Sequence, residues 1–181
     1  KCLRNTYLRE SELRKLQSML IGVVSDTHNR VQHVEKIVNL FNSYKLSLVV
    51  HTGDITNAKT LDLFSDLNFP LRGVYGNNDI NEPNLIETSK KNGFDFRLPP
   101  HIFELGNRKI AIFHEPDEID SFLKEEKSID LILHGHTHRY RNEKISGSRI
   151  FNPGESSGMF EGKNAIGLVN LEDLKAKRIF F

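Results

Sequence analysis

Residues 19–28 read Met-Leu-Ile-Gly-Val-Val-Ser-Asp-Thr-His. An apolar run rich in β-branched residues, too short for an ordinary helix, is the signature of a buried strand. This one ends in two metal-capable side chains, Asp26 and His28. The same device recurs. Residues 46–51 lead to Gly53-Asp54, residues 70–75 to Gly76-Asn77-Asn78-Asp79, residues 109–113 to His114, and residues 129–133 to Gly135-His136-Thr137-His138. Asp, Asn and His are the hard and borderline ligands that suit divalent ions. In open α/β sheets, ligands bind beyond the carboxyl ends of the strands, where these islands fall. An extended chain would point Asp26 and His28 to one side, and His136 and His138 repeat the spacing across Thr137. Glycines at 53, 76 and 135 allow a sharp turn just before each ligand. One H-x-H proves little; five islands at five strand ends carry the argument together.

Outward from that stretch the chain alternates. A strand at 19–26 precedes a helical face made by Val31, Val34, Ile37, Val38 and Phe41. A strand at 46–51, a helix near 57–67, a strand near 70–75 and a helix near 83–92 follow, a pattern of parallel strands with right-handed crossovers. Residues 101–105 and 109–114 flank Gly106-Asn107-Arg108 as a hairpin. A helix at 117–126, a strand at 129–133 and short strands at 140–145, 149–152, 164–170 and 175–181 complete the chain. No repeat or linker interrupts residues 19–181, so the expectation is one α/β domain with mixed pairing, two sheets face to face rather than one. Residues 1–18 differ: charge dominates, and Leu3, Tyr7, Leu8, Leu13 and Leu16 form a loose helical stripe. They read as an extension ahead of a domain that starts at Met19, the alternative being an amphipathic helix packed on the domain or a partner subunit.

Composition bounds the function. The chain has 181 residues, 27% charged and 38% hydrophobic, with a net charge of +1. That is an ordinary globular composition, and it offers no electrostatic footprint for an extended nucleic-acid surface. A nucleotide remains open as a substrate. The single cysteine, Cys2, excludes an internal disulfide and fits a reducing compartment, so the expected location is cytoplasmic. No apolar run reaches the ~18 residues of a membrane span. No Walker loop or dinucleotide fingerprint is present.

The series D-x-H, G-D, G-N-x-D, H and G-H-T-H resembles the calcineurin-like metallophosphoesterase superfamily, in particular its small single-domain phosphodiesterase branch, related to the retromer subunit. The resemblance covers residues 19–181 and implies a four-layer α-β-β-α sandwich with a dinuclear centre. By motif, Asp26, His28 and His138 would hold one metal, Asn77, His114 and His136 the other, and Asp54 would bridge them. The implied cofactors are two divalent ions per chain, with manganese expected and zinc, iron, nickel or magnesium as alternatives. The implied activity is hydrolysis of a small phosphoester, a diester in first place, by a hydroxide between the metals. The alternatives are phosphomonoesterase or pyrophosphatase activity, or a protein-binding scaffold on the same fold. A homo-oligomer is open.

Each residue also has a plainer reading. Asp26 and Asp54 could be helix caps, and His114 alone could be a core histidine. His51 is better placed to support than to ligate, while His33 and His101 carry no catalytic role. Asp79 is expected to orient its neighbours as part of the catalytic group, and His134 to line the substrate pocket. Two departures from the family pattern stand out. Asn78 occupies the place where the superfamily often has a proton-donating histidine, and is assigned to catalysis and substrate binding. Glu115 replaces the usual glycine after the histidine, adding negative charge where substrate enters. Asn152-Pro153-Gly154-Glu155 resembles the family's Asn-Pro-Gly-Ser loop; read alone it is a turn.

Overall fold

The computed structural model describes residues 19–181; the reading of 1–18 as an extension lies outside the described residues. Strand β1 (Leu20–Val24) sorts its side chains to two faces, and both are buried. Ile21 and Val23 join a core with Leu48, Val50, Val74, Ile110, Ile112, Leu131, Leu133 and Phe151. Val24 joins another with Val34, Ile37, Val38 and Phe41. A strand apolar on both faces must lie in an inner layer, which is why its sequence shows no polar alternation.

Around β1, a mixed sheet of six strands runs β11-β10-β1-β2-β3-β4, formed by β2 (Leu48–His51), β3 (Leu71–Val74), β4 (Asp95–Arg97), β10 (Ala165–Asn170) and β11 (Ala176–Phe180). Strands β1 to β4 pair in parallel, and β10 joins β1 antiparallel. The second mixed sheet runs β5-β6-β7-β9-β8, with β5 (His101–Leu105), β6 (Arg108–Ile112), β7 (Leu131–Leu133), β8 (Arg141–Ile145) and β9 (Ser148–Asn152). Here β6, β7 and β9 are parallel. Helices α1 (Val31–Asn42), α2 (Ala58–Asp62) and α3 (Leu85–Lys91) cover the outer face of the first sheet. Helix α4 (Ile119–Glu125) covers the second, where Ile119 and Leu123 pack on Ala111, Phe113, Ile132 and Ile150. The order is helices, sheet, sheet, helix: the expected four-layer sandwich.

The structure corrects several local expectations. The helix expected near 57–67 is α2 followed by a 3₁₀ turn, Leu63–Asp66. Val31 opens α1 but stays exposed, outside the buried stripe. The hairpin turn is the two-residue Gly106-Asn107, both near φ 59°, with Arg108 already paired to Leu105; left-handed geometry at both positions matches the strand twist. Strand β4 was not anticipated. No helix among the described residues is long and apolar enough to cross a membrane.

Candidate metal centre

The carboxyl ends of β1, β2, β3, β6, β7 and β9 point toward one edge of the sandwich, and the loops leaving them assemble two groups of ligand atoms. Asp26, His28 and His138 form one group and Asp54, His114 and His136 the other, each with its ligand atoms within 4.8 Å of one another. The Asn77 carboxamide oxygen joins the second group, 2.9 Å from His114 Nε2 and 3.1 Å from His136 Nδ1. All seven residues expected from sequence are brought together.

The backbone reaches this arrangement differently from the sequence expectation. Asp26 and His28 do not share a side through an extended chain, because both are left-handed, at φ 52° and 47°. Asp54, His136 and His138 are left-handed too, at 58°, 65° and 53°. Each tight turn is fastened: Asp26 N–H donates to Gly53 O at 3.0 Å, His28 N–H to Asp54 O at 2.9 Å, and Gly135 N–H to His114 O at 3.0 Å. Glycines 76 and 135 serve close approach. A Cβ on Gly135 would collide with Ser25 Oγ and lie 2.8 Å from Asp26 Oδ2, and one on Gly76 would strike the Asp54 carboxylate. Neither Asp26 nor Asp54 caps a helix; Arg30 precedes α1, and Asn57 caps α2.

Hydrogen bonds fix which ring nitrogens can act. His114 Nδ1 sits 2.8 Å from Thr52 O, an acceptor only, so Nδ1 carries the proton and donates. That leaves the Nε2 lone pair facing Asn77 and His136. His138 Nδ1 donates to Glu155 Oε2 at 2.5 Å, which turns its Nε2 lone pair toward His28 Nε2, 3.4 Å away, and Asp26 Oδ1, 3.6 Å away. Lone pairs of two imidazoles, two carboxylates and a carboxamide gathered at such distances repel one another unless a cation or proton lies between them. The donor set therefore fits two divalent ions.

Electrostatics agree. Burial lifts the Asp26 carboxyl above the usual range, against the Ser25 hydroxyl that donates to it. Burial also opposes the Asp54 anion, but His114 and the two Asn78 donors win and hold it well below normal; Asn78 N and Nδ2 lie 3.0 and 2.7 Å from its two oxygens. For His114, burial disfavours the cation, yet the Asp54 carboxylate beside it raises the net affinity for a proton.

The supporting residues separate clearly. Asp79 is buried, and its carboxylate accepts from Ile55, Thr56 and Gly76 N–H at 2.9, 2.7 and 2.8 Å, stitching the loops after β2 and β3 together; burial raises its pKa against those donors. His51 accepts from Gly53 N–H at Nδ1 and so donates from Nε2 to Thr27 Oγ1, bracing both loops. Burial pulls it down to about 3, keeping it neutral. His134 is buried beneath the Gly135 loop, 3.1 Å from Gly135 O, pulled down to about 4 by burial, and outside the cavity by Asn77 and His114. Glu115 does border that cavity. His101 ties the sheets through Gly73 O, and His33 bonds Ser156 O.

Glu155 is the residue that sequence reasoning undervalued. It is 1% exposed and, besides His138, accepts from Ser157 Oγ at 2.8 Å and Met159 N–H at 2.6 Å. Burial opposes its charge, but these donors lower its pKa. The available signal was the carboxylate standing where the resembling loop has serine.

A two-sheet sandwich with clustered Asp, Asn and His at its strand ends defines a metallophosphoesterase-type fold. The chain belongs to the calcineurin-like phosphoesterase superfamily, whose domain model matches residues 19–174. A phosphodiesterase of Methanocaldococcus jannaschii is 28% identical over 174 residues, covering 89% of this chain and 98% of that protein. The vacuolar protein sorting-associated protein 29 of Schizosaccharomyces pombe is 26% identical over 145 residues, covering 77% of this chain and 73% of its own length. Among solved structures, an archaeal phosphodiesterase superposes with a TM-score of 0.82 at 27% identity, covering 90% of this chain and all of that one. The zinc complex of Vps29 from Entamoeba histolytica, at 18% identity and a TM-score of 0.64 over 90% of this chain and 99% of that one, shares the fold.

Proposed function

We propose that this chain is a dinuclear metal-dependent phosphodiesterase. The observation that carries the reading is the inward-facing lone pairs of His114 and His138, each set by a hydrogen bond to the opposite ring nitrogen. Asp26, His28 and His138 would hold one ion, Asn77, His114 and His136 the other, and Asp54 would contribute to both. When bound, such a pair supplies an acidified water as nucleophile and neutralises charge on the phosphoryl oxygens. The chain's own residues do the positioning. Asn78 holds both Asp54 oxygens, Asp79 fixes the loops that present Asp54 and Asn77, and Glu155 aims His138. With its amide engaged on Asp54, Asn78 offers no proton to the leaving group.

A diester is favoured over a monoester by the cavity of about 230 Å³ beside Asn77 and His114. Ile80, Leu98 and Phe113 line it with Glu115 and Glu118, and among the described residues no lysine or arginine borders it. An uncharged ester group fits there better than a dianionic terminal phosphate. Manganese is the expected metal, with zinc, nickel, iron and magnesium able to use the same ligands.

The test is a panel of diesters, monoesters and pyrophosphate, assayed after metal removal and reloading with each ion. Diester turnover restored by metal supports the reading. No turnover with any ion would refute it and favour a protein-binding scaffold, as the similarity to the sorting protein suggests.

A further inference from the structure

On its other side, His138 borders a second cleft of about 580 Å³, whose floor includes Glu155. Around it stand Arg139, Tyr140, Phe160, Lys163, Arg178 and Phe180. Tyr140, Phe160 and Phe180 are 46%, 47% and 56% exposed, and they are the exposed Phe and Tyr side chains among the described residues. One such residue needs no explanation; three around one cleft beside a candidate phosphoesterase centre do.

Each aromatic ring is matched with a cation. The Arg178 guanidinium lies 4.1 Å from the Tyr140 ring centroid and 4.7 Å from that of Phe180, and Lys163 Nζ lies 5.6 Å from Phe160. Arg139, Lys163 and Arg178 enter no ion pair among the described residues. The carboxylate that lines the cleft, Glu155, is buried and committed to His138. Across the metal ligands, the Asn77 side presents Glu115 and Glu118 instead. The charge asymmetry would draw an anionic arm of a diester toward His138 and leave an uncharged one for the Asn77 side.

We infer that the cleft beyond His138 binds the nucleotide arm of a phosphodiester substrate: a base stacked on the aromatic and guanidinium surfaces, and a second phosphate on the lysine and arginine side chains. Aromatic and guanidinium faces accept any base, because every base has a π-face. Adjacent unpaired cations add the phosphate, a combination that suits neither a lipid tail nor a cationic headgroup. The cleft is local, which agrees with a net charge of +1 and favours a single nucleotide over a long duplex. The inference rests on the phosphodiesterase reading and narrows its substrate.

Three probes on metal-loaded protein test it: methyl p-nitrophenyl phosphate, the p-nitrophenyl ester of thymidine 3′-phosphate, and that ester with an added 5′-phosphate. kcat/KM should rise ~10-fold or more on adding the nucleoside. It should rise again with the 5′-phosphate, a second gain that fades with added salt. Tyr140→Ala with Phe180→Ala should remove the first gain, and Arg139→Gln with Lys163→Gln the second. Calorimetric titration with thymidine 3′,5′-bisphosphate should show tighter binding than inorganic phosphate, lost in the aromatic variant. Equal kcat/KM for all three esters, with bisphosphate binding no tighter than phosphate, overturns the inference. Tighter bisphosphate binding without turnover of any ester supports the cleft and refutes the phosphodiesterase reading instead.

Discussion

Replacing Glu155 by Gln should loosen one metal site and spare the other. The carboxylate is 1% exposed and accepts from three donors: His138 Nδ1 at 2.5 Å, Ser157 Oγ at 2.8 Å and Met159 N–H at 2.6 Å. Glutamine has the same shape but only one acceptor oxygen. If that oxygen keeps Ser157 and Met159, the NH₂ group faces His138 Nδ1, and the ring must accept there. Its proton then moves to Nε2, into the space shared with His28 and Asp26, where a metal needs a lone pair. If the oxygen instead keeps His138, the NH₂ opposes the Met159 N–H, donor against donor. Either way the ligand loses its anionic anchor. Removing such a partner typically costs about 10–100-fold in metal affinity, equivalent to about 1.4–2.7 kcal/mol. His114 is anchored by a backbone carbonyl that the substitution does not touch. Metal-free Glu155→Gln, titrated with manganese or zinc against a chelator of known affinity, should therefore show two unequal steps, the weaker one shifted by that factor and the other unchanged. Circular dichroism on the same samples checks that the fold is intact. Two unshifted steps would show that Glu155 does not set the His138 tautomer, and a parallel loss of both would show a general disturbance of the edge.

Asp54→Ala should impair both sites, because this carboxylate stands in the second group and serves both in the proposed centre; elemental analysis finding two ions per chain at unchanged affinity would refute the shared role. Activated aryl diesters should outpace alkyl diesters strongly, since general acid catalysis is worth ~10²–10⁴-fold and Asn78 offers none; a rate independent of leaving-group pKa would point to another donor. His51, pulled down to about 3 by burial, stays neutral in the fold while the unfolded chain protonates near pH 6.5. The unfolded state thus binds more protons, and stability present above pH 6.5 is lost as pH falls, by up to about 1.4 kcal/mol per unit. Chemical unfolding of metal-free His51→Gln should show a shallower acid-side loss; an identical slope would contradict this. Finally, His28→Gly should relieve a left-handed residue at φ 47°, raising metal-free stability by up to about 1 kcal/mol while weakening one metal step; a clear loss of metal-free stability would count against strain at that position.

The parts legible in sequence were those whose information is local. A buried strand announces itself by its apolar run, and a ligand just beyond it by residue type, so β1 with Asp26 and β7 with His136 could be read directly. Strand β4 could not. Its three residues include one apolar side chain, Phe96, between Asp95 and Arg97, and the strand exists because the edge of β3 offers it a partner. The weight of Glu155 was hidden for the same reason: its role depends on β9 ending beside β7, which places it against a histidine 17 positions earlier. Tyr140, Phe160 and Phe180 likewise meet only through tertiary structure. The left-handed ligands did leave a trace, because Asn, Asp and His are enriched several-fold in that region.

That backbone geometry explains why the ligands sit in turns rather than strands. A strand delivers one side chain per two residues to a face, about 6–7 Å apart along its axis, whereas these ligand pairs leave the strand before they present their side chains. Bending the chain into the left-handed region at Asp26 and His28, and again at His136 and His138, folds each pair back over its own strand end. For five non-glycine residues the cost is roughly 1–2 kcal/mol each, comparable in sum to the net stability of a whole domain. Such strain persists only where the surroundings over-determine it. Here they do so with the Gly53, Asp54 and His114 carbonyls, the Asp79 staple, the His51 brace and two sheets buried on both faces. The sandwich is thus the counterweight that keeps the two groups of lone pairs together at one edge, where the proposed centre would take its pair of ions.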